Sequence, residues 1–349
     1  MLDVESRHRR YSMEHRAKLA ELIMGFVPAQ AVAVAAELGI ADLLAREPMT
    51  AEQLAIATHT HAHMLFRLLR YLASIGIFEA DNNNRFRLTP MASLLQSDAE
   101  NSMRSMARIM GIAGPPSVNH LIDAVRSAKY PFQEAFGKPL FAFLSEHPEE
   151  AKLFDAAMNG FHAGETEAVL DAYDFTSVST LVDIGCGNGS VLSATMKRYP
   201  ALRGLFFDQQ HVIERAHPDI NAAGLTERAE LQSGNFFESV PGGADAYFLR
   251  HIIHDWPDDA SVRIFQNIRR AIPSTGRLLI VVMVVPEGND PSHAKDFDIL
   301  MMLLPPKGLE RTENEYRDLL RNGGFEIARV IPTASPVSVI EARPIYALL

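Results

Sequence analysis

Three groups of residues have types and spacings suited to chemistry. The first is Leu181-Val182-Asp183-Ile184-Gly185-Cys186-Gly187-Asn188-Gly189, an apolar run that ends in glycines and passes straight into a helical stretch, Ser190–Tyr199. Glycines suit such a place because a ligand must approach the backbone closely and the turn needs φ/ψ values that a Cβ disfavours. The spacing is G-x-G-x-G, with Ser190 standing where the dinucleotide fingerprint has its third glycine. The second is Asp208, which ends the next apolar run 19 residues past Gly189. A carboxylate there can accept from both ribose hydroxyls of an adenosine; the plainer reading is a strand-end cap. The third is Arg250-His251-Ile252-Ile253-His254-Asp255-Trp256-Pro257-Asp258-Asp259, which follows the run Ala246-Tyr247-Phe248-Leu249 and holds the chain's single Trp. His254 falls just beyond the carboxyl end of a strand, where open α/β sheets bind ligands. With an unperturbed pKa near 6.5 it suits a general base, although a lone His beside Trp is more often simply packed. His251, three residues earlier, has no comparable motif around it.

The elements that must position these groups are legible in the periodicity. From Thr180 onward strands alternate with helices, with strands expected at 180–185, 203–208, 229–234, 245–251, 277–285, 326–332 and 337–345 and helices at Asp259–Ala271 and Glu313–Asn322. Such alternation predicts a parallel sheet covered on both faces. Only Thr333-Ala334-Ser335-Pro336 separates the last two strands, too short for a parallel crossover, so that pair is antiparallel. Toward the start, Ala31–Ala45 is helical, Thr50 caps a short helix with Gln53 placed for a capping box, and His61–Gly76 puts Leu65, Leu68, Leu69 and Leu72 on one side. Asp81-Asn82-Asn83-Asn84 then closes a hairpin, giving the helix, helix, β-wing order of a winged helix. The expected organisation is a winged-helix domain over 1–105, a helical connector over 106–165 and a catalytic α/β domain over 166–349.

Composition narrows the function. The 349 residues carry 33 basic and 43 acidic side chains, a net charge of −10, and 47% are hydrophobic, so a large core can form. An acidic balance opposes a nucleic-acid partner, and residues 1–100 themselves hold more acidic than basic side chains, which argues against a DNA-binding regulator despite the winged-helix order. Cys186 is the single cysteine, so neither an intramolecular disulfide nor a cysteine-based zinc site is available, and His59, His61 and His63 read as a surface cluster; no metal is expected. The charged start MLDVESRHRRYSMEHR lacks the apolar core of a signal peptide, and the longest aliphatic run, Leu278–Val285, is far below the ~20 residues of a membrane helix. A cytoplasmic protein with neither a membrane nor a nucleic-acid partner is the expectation.

The glycine loop, the acid and the terminal hairpin together resemble the S-adenosylmethionine-dependent methyltransferase fold more than a nicotinamide or flavin enzyme. The resemblance sharpens to the bacterial and plant small-molecule O-methyltransferase family, which includes caffeic acid, acetylserotonin, hydroxyneurosporene and antibiotic-tailoring methyltransferases. Its landmarks are VDIGCGNG at 182–189, FFDQQHVIERA at 206–216, GNFFESVP at 234–241, RHIIHDWPDD at 250–259 and GLERTENEY at 308–316. The resemblance implies S-adenosylmethionine as cofactor, an aromatic or polyketide-like acceptor, and a homodimer formed through the N-terminal domain. It makes His254 the general base, Glu310 an acid that holds it, and Asp255 part of the catalytic group. It assigns the cofactor to Asp183, Gly185, Gly187, Asp208, Gln209, Asn235, Phe236 and Arg250. Met158, Asn159, His162, Met301 and Met302 would line the acceptor site, though a core role suits the methionines equally well.

Three positions depart from the family pattern: Asn235 replaces the usual Asp, Cys186 replaces a glycine, and Val282 stands where a second acid normally flanks the base. Methyl transfer from a sulfonium is an in-line displacement in which the protein aligns the atoms and makes the acceptor oxygen nucleophilic. A phenol with a pKa near 10 lies about 3.5 units above His, so full proton transfer before attack costs on the order of 5 kcal/mol and the base must act in concert. Loss of the acid at Val282 is expected to weaken the base and favour an acidic hydroxyl. N-methylation, or a non-methylating reaction such as hydroxylation, decarboxylation or pericyclic chemistry on the same scaffold, is the alternative.

Overall fold

The computed structural model describes residues 2–99 and 101–345. The chain divides into two units, Met1–Pro116 with Leu144–Ala163, and Ser117–Phe143 with Gly164–Leu349. Residues 106–165 are therefore shared between them.

The first unit is mainly helical. Thr50 begins the helix Ala51–Thr58 as the spacing predicts: its hydroxyl accepts from the Gln53 amide at 3.4 Å, and the Gln53 side chain accepts from the Thr50 amide at 2.9 Å. The helix Ala62–Ser74 buries Leu65, Leu69 and Leu72, while Leu68 is only half-buried. Strands β1 (Met49–Thr50), β2 (Phe78–Ala80) and β3 (Arg85–Leu88) form a small antiparallel sheet in the order β1-β3-β2. Asp81 closes the hairpin, its Oδ1 accepting from the amides of Asn83 and Arg85. Leu54, Leu69, Leu72, Phe78 and Phe86 meet in the core of this unit.

One stretch among the described residues, Met13–Glu37, has the length and composition of a membrane-crossing helix, which a count of consecutive aliphatic residues misses. It is not one continuous rod: the helix Leu2–Ile23 ends and a second, Phe26–Glu37, begins after a turn. The second half buries Ala31, Ala33, Ala35 and Ala36 in the unit, whereas Leu19, Leu22, Ile23, Met24, Phe26 and Val34 are exposed.

The second unit is built on β4 (Thr180–Ile184), β5 (Arg203–Asp208), β6 (Ala229–Ser233), β7 (Ala246–Arg250), β8 (Arg277–Val282), β9 (Val284–Val285), β10 (Arg311–Thr312), β11 (Phe325–Pro332) and β12 (Ser338–Pro344). Seven of these form one sheet in the order β11-β12-β8-β7-β4-β5-β6, and β9 pairs with β10 separately. Strands β4 to β8 of the sheet are parallel, and β12 runs antiparallel to both β8 and β11, as the short link requires. Leu278 to Val282 are completely buried, which is why this strand reads as an unbroken aliphatic run rather than an alternation. Each such side chain contributes roughly 1.5–3 kcal/mol. The sheet order reverses between β4 and β7, so the chain leaving β4 and the chain leaving β7 emerge side by side at the carboxyl edge.

Candidate active site

His254 lies in the 3₁₀ turn Ile253–Asp255 just past β7 and is 5% exposed. Its Nδ1 is 2.6 Å from Glu310 Oε1, and its Nε2 is 3.7 Å from Asp255 Oδ1. An ionised carboxylate only accepts, so the Nδ1 proton points to Glu310 and the neutral ring keeps its lone pair on Nε2. Burial by itself lowers the imidazole pKa; the charges of Asp255, Glu310 and Glu165 outweigh it, and the net shift is upward. Burial pushes Asp255 up to about 6, with His254 opposing and Glu310 reinforcing.

Val282 brings no charge to the base. That side chain is wholly buried in the apolar core with Leu249, Ile253 and Ile340, and the base is nonetheless raised because negative charge reaches it from other elements. One source, Glu165, has no signal in the sequence. It opens the helix Glu165–Ala172, is 4% exposed, and its Oε2 is 2.8 Å from His251 Nε2. His251, without a motif of its own, is likewise part of the group: its backbone takes the left-handed conformation, φ 54°, and its ring centroid lies 5.2 Å from that of His254. Phe297 stacks on His254 at 5.9 Å. Only the tertiary fold joins Glu165 to His251, 86 residues apart.

Beside the turn, the loop after β4 carries the other expected residues. Gly185 has φ +73°, and a Cβ there would come within 2.4 Å of Ile252 Cδ1. Gly187, φ +56°, would meet nothing within 4 Å, so space is open over the loop. The Gly187 amide donates to Asp208 Oδ2 at 3.0 Å and the Gln209 amide to Oδ1 at 2.7 Å, which leaves each carboxylate oxygen a further lone pair. Burial raises the Asp208 pKa, and these amides oppose it. Gln209 is the exposed residue preceding the helix Gln210–Ala222. Asp183 is buried and pushed up to about 7, with Arg250 opposing; Arg250 is itself lowered by burial against Glu165 and Asp183. Past β6, Asn235 Oδ1 accepts from the Phe237 amide at 3.0 Å, and the Phe236 ring lies 6.1 Å from Trp256 in an edge contact. Cys186 is buried within the loop, and burial, with Asp183 and Asp208, raises its thiol pKa. A glycine turn under open space, with an acid at the next strand end and an aromatic ring past the following strand, fits an adenosyl cofactor.

Of the acceptor candidates, Met301 is buried and Met302 half-buried on the helix His293–Leu303 of the second unit. Met158 and Asn159 lie on the helix Pro148–Phe161 of the first unit and His162 follows it; Met158 packs against the cluster of Met106, Ile109 and Ala157.

The O-methyltransferase domain family matches residues 118–326, and the O-methyltransferase dimerisation domain family matches residues 20–98. The chain is 41% identical over 327 residues to phenazine O-methyltransferase PhzM of Lysobacter antibioticus, covering 94% of this chain and 96% of that one. It is 34% identical over 316 residues to 8-amino-8-demethylriboflavin N,N-dimethyltransferase of Streptomyces davaonensis, covering 88% and 89%. The solved structure of human N-acetylserotonin methyltransferase in complex with S-adenosylmethionine superposes with a TM-score of 0.87 at 27% identity, covering 95% of this chain and 98% of that one. Fold and site thus define an S-adenosylmethionine-dependent methyltransferase. Within that class the chain belongs to the O-methyltransferase family and carries its dimerisation domain.

Proposed function

We propose that this enzyme methylates a hydroxyl on an aromatic or polyketide-like secondary metabolite, with His254 as the general base. The observation that carries the reading is the Glu310-held, upward-shifted imidazole at the end of β7, adjacent to the glycine loop after β4. Asp183, Gly185, Gly187, Asp208, Gln209, Asn235, Phe236 and Arg250 would hold the cofactor. When bound, S-adenosylmethionine supplies an electrophilic methyl group on a sulfonium.

The work of the chain's own residues lies in the proton and the alignment. Nε2 of His254 takes the acceptor's proton as the oxygen attacks, and Glu310 stabilises the imidazolium that forms. The raised pKa narrows the ~3.5-unit gap to a phenol, so concerted removal is easier than for an ordinary histidine. Such help is typically ~10²–10⁴-fold. Met301 and Met302 offer adaptable apolar contact to the acceptor ring. The relatives' names, a phenazine O-methyltransferase among them, support an aromatic metabolite. The N,N-dimethyltransferase relative supports the second reading, transfer to nitrogen, but a neutral amine already presents its lone pair and has less need of a strengthened base.

The dimerisation-domain match and the exposed apolar residues at 19–34 support a homodimer assembled through the first unit, and the second unit is the catalytic domain. The deciding experiment incubates wild type and His254→Ala with candidate aromatic hydroxyls and methyl-labelled cofactor. Label on oxygen that falls at least a hundredfold in the variant is expected. Label on nitrogen, or full turnover without His254, overturns the reading.

A further inference from the structure

Arg311 is 1% exposed, and each of its three guanidinium nitrogens donates a hydrogen bond. Nε and Nη2 donate to Asp258 Oδ1 at 3.0 and 2.8 Å, Nη1 to the Ile253 carbonyl at 3.2 Å, and Nη2 also to the Trp256 carbonyl at 2.8 Å. Those two carbonyls bracket His254 and Asp255. The residues just before it grip the same turn: the Leu309 amide donates to the His254 carbonyl at 2.8 Å, and Glu310 bonds the ring. Segment 309–311 therefore holds the base by main chain and side chain together. The segment is itself anchored, since Arg311 pairs with Val284 across β9 and β10, and Thr312 caps the helix Glu313–Asn322 in a capping box.

We propose that Arg311 is a positioning residue for catalysis, holding the 253–256 main chain in register with Glu310 so that His254 presents Nε2 to the acceptor. The geometry calls for Arg specifically. A lysine offers a point charge with no planar fork, and it cannot reach Asp258 and two divergent carbonyls at once. Asp258 is the outer half of the device: its side chain is 73% exposed, yet it supplies the countercharge for a guanidinium that is 1% exposed.

The inference rests on His254 being the base, and the test separates the two. Arg311→Lys and Asp258→Asn are each assayed for kcat, KM and the pH dependence of kcat. Trp256, the chain's one tryptophan, adds a reading independent of turnover through acrylamide quenching of its fluorescence. Expected are a roughly tenfold or greater fall in kcat, KM values within about threefold, an acidic limb moved to lower pH as Glu310 loosens from the ring, and at least doubled quenching. Asp258→Asn, altered on the surface, keeps its fold and shows the same changes to a smaller degree. Wild-type kcat, limb and quenching in folded variants overturn the proposal. So does lost kcat with an unmoved limb and unmoved quenching, which marks a merely structural role. Full turnover in His254→Ala removes the base instead, while the Trp256 quenching still reports whether Arg311 holds the turn.

Discussion

Glu310 Oε1 and His254 Nδ1 stand 2.6 Å apart although 56 residues separate them in the chain. The carboxylate sets the tautomer of the ring and helps raise its pKa against the cost of burial. Replacing it with glutamine keeps an acceptor but removes the charge, so the pKa of the ring falls. The active form is the unprotonated ring, and activity is lost as pH drops through that pKa. In Glu310→Gln the acidic limb therefore moves to lower pH while the plateau drops about 10–100-fold. Single-turnover rates across pH 5 to 9 measure both; a full plateau with an unmoved limb contradicts the pairing.

Stability carries a second signature. Asp183 is buried and pushed up to about 7, against roughly 3.9 in an unfolded chain. Between those values the folded state holds a proton that the unfolded state has released, so stability falls as pH rises through that window. Asp183→Asn removes the titration. Melting temperatures of the cofactor-free protein at pH 4.5 and pH 8 should show a smaller change attributable to this window in the variant than in wild type; an identical profile would place Asp183 in a wetter setting than the structure does.

Gly185 combines a positive φ with a near neighbour, Ile252 Cδ1, where a Cβ would stand. Gly185→Ala incurs about 1–2 kcal/mol from the left-handed backbone alone, and the clash adds to it. The melting temperature should fall, and calorimetric affinity for S-adenosylmethionine should drop at least tenfold. Ile252→Ala in the same chain removes the clash but not the backbone strain, so it restores only part of the loss. Complete restoration would show that the backbone conformation is not limiting.

Cys186 is buried and its thiol pKa is raised, so little thiolate forms near neutral pH. Iodoacetamide at pH 8 should label the folded protein far more slowly than the urea-unfolded chain. S-adenosylmethionine should slow it further, because the thiol lies in the proposed cofactor loop. Equal rates with and without cofactor would move the ligand away from that loop.

Local pattern made much of this protein legible. Strands β4, β5, β7 and β8 follow from apolar runs broken by glycine and proline, because a strand covered on both faces needs a nearly continuous apolar sequence; β6, at the sheet edge, is mostly polar and exposed. The antiparallel last pair follows from the short link at 333–336, since no parallel crossover is that short. Thr50 with Gln53, and Glu313–Asn322 stopped by Gly323, are equally local events. The glycine loop, Asp208 and His254 lie at strand ends, where chain periodicity alone places them.

What surrounds His254 could not be read that way. The sequence by itself determined a base candidate, a glycine loop and an acid, each at or just past the end of a strand. The tertiary structure decided that Val282 belongs to the core, that Glu165 and His251 stand beside the base, and that Arg311 grips the turn. The reason is physical: periodicity records which face of an element is buried, whereas an ion pair or a buried guanidinium depends on which distant elements become neighbours. Once strand order brings them together, low solvent exposure makes each charge felt at the imidazole.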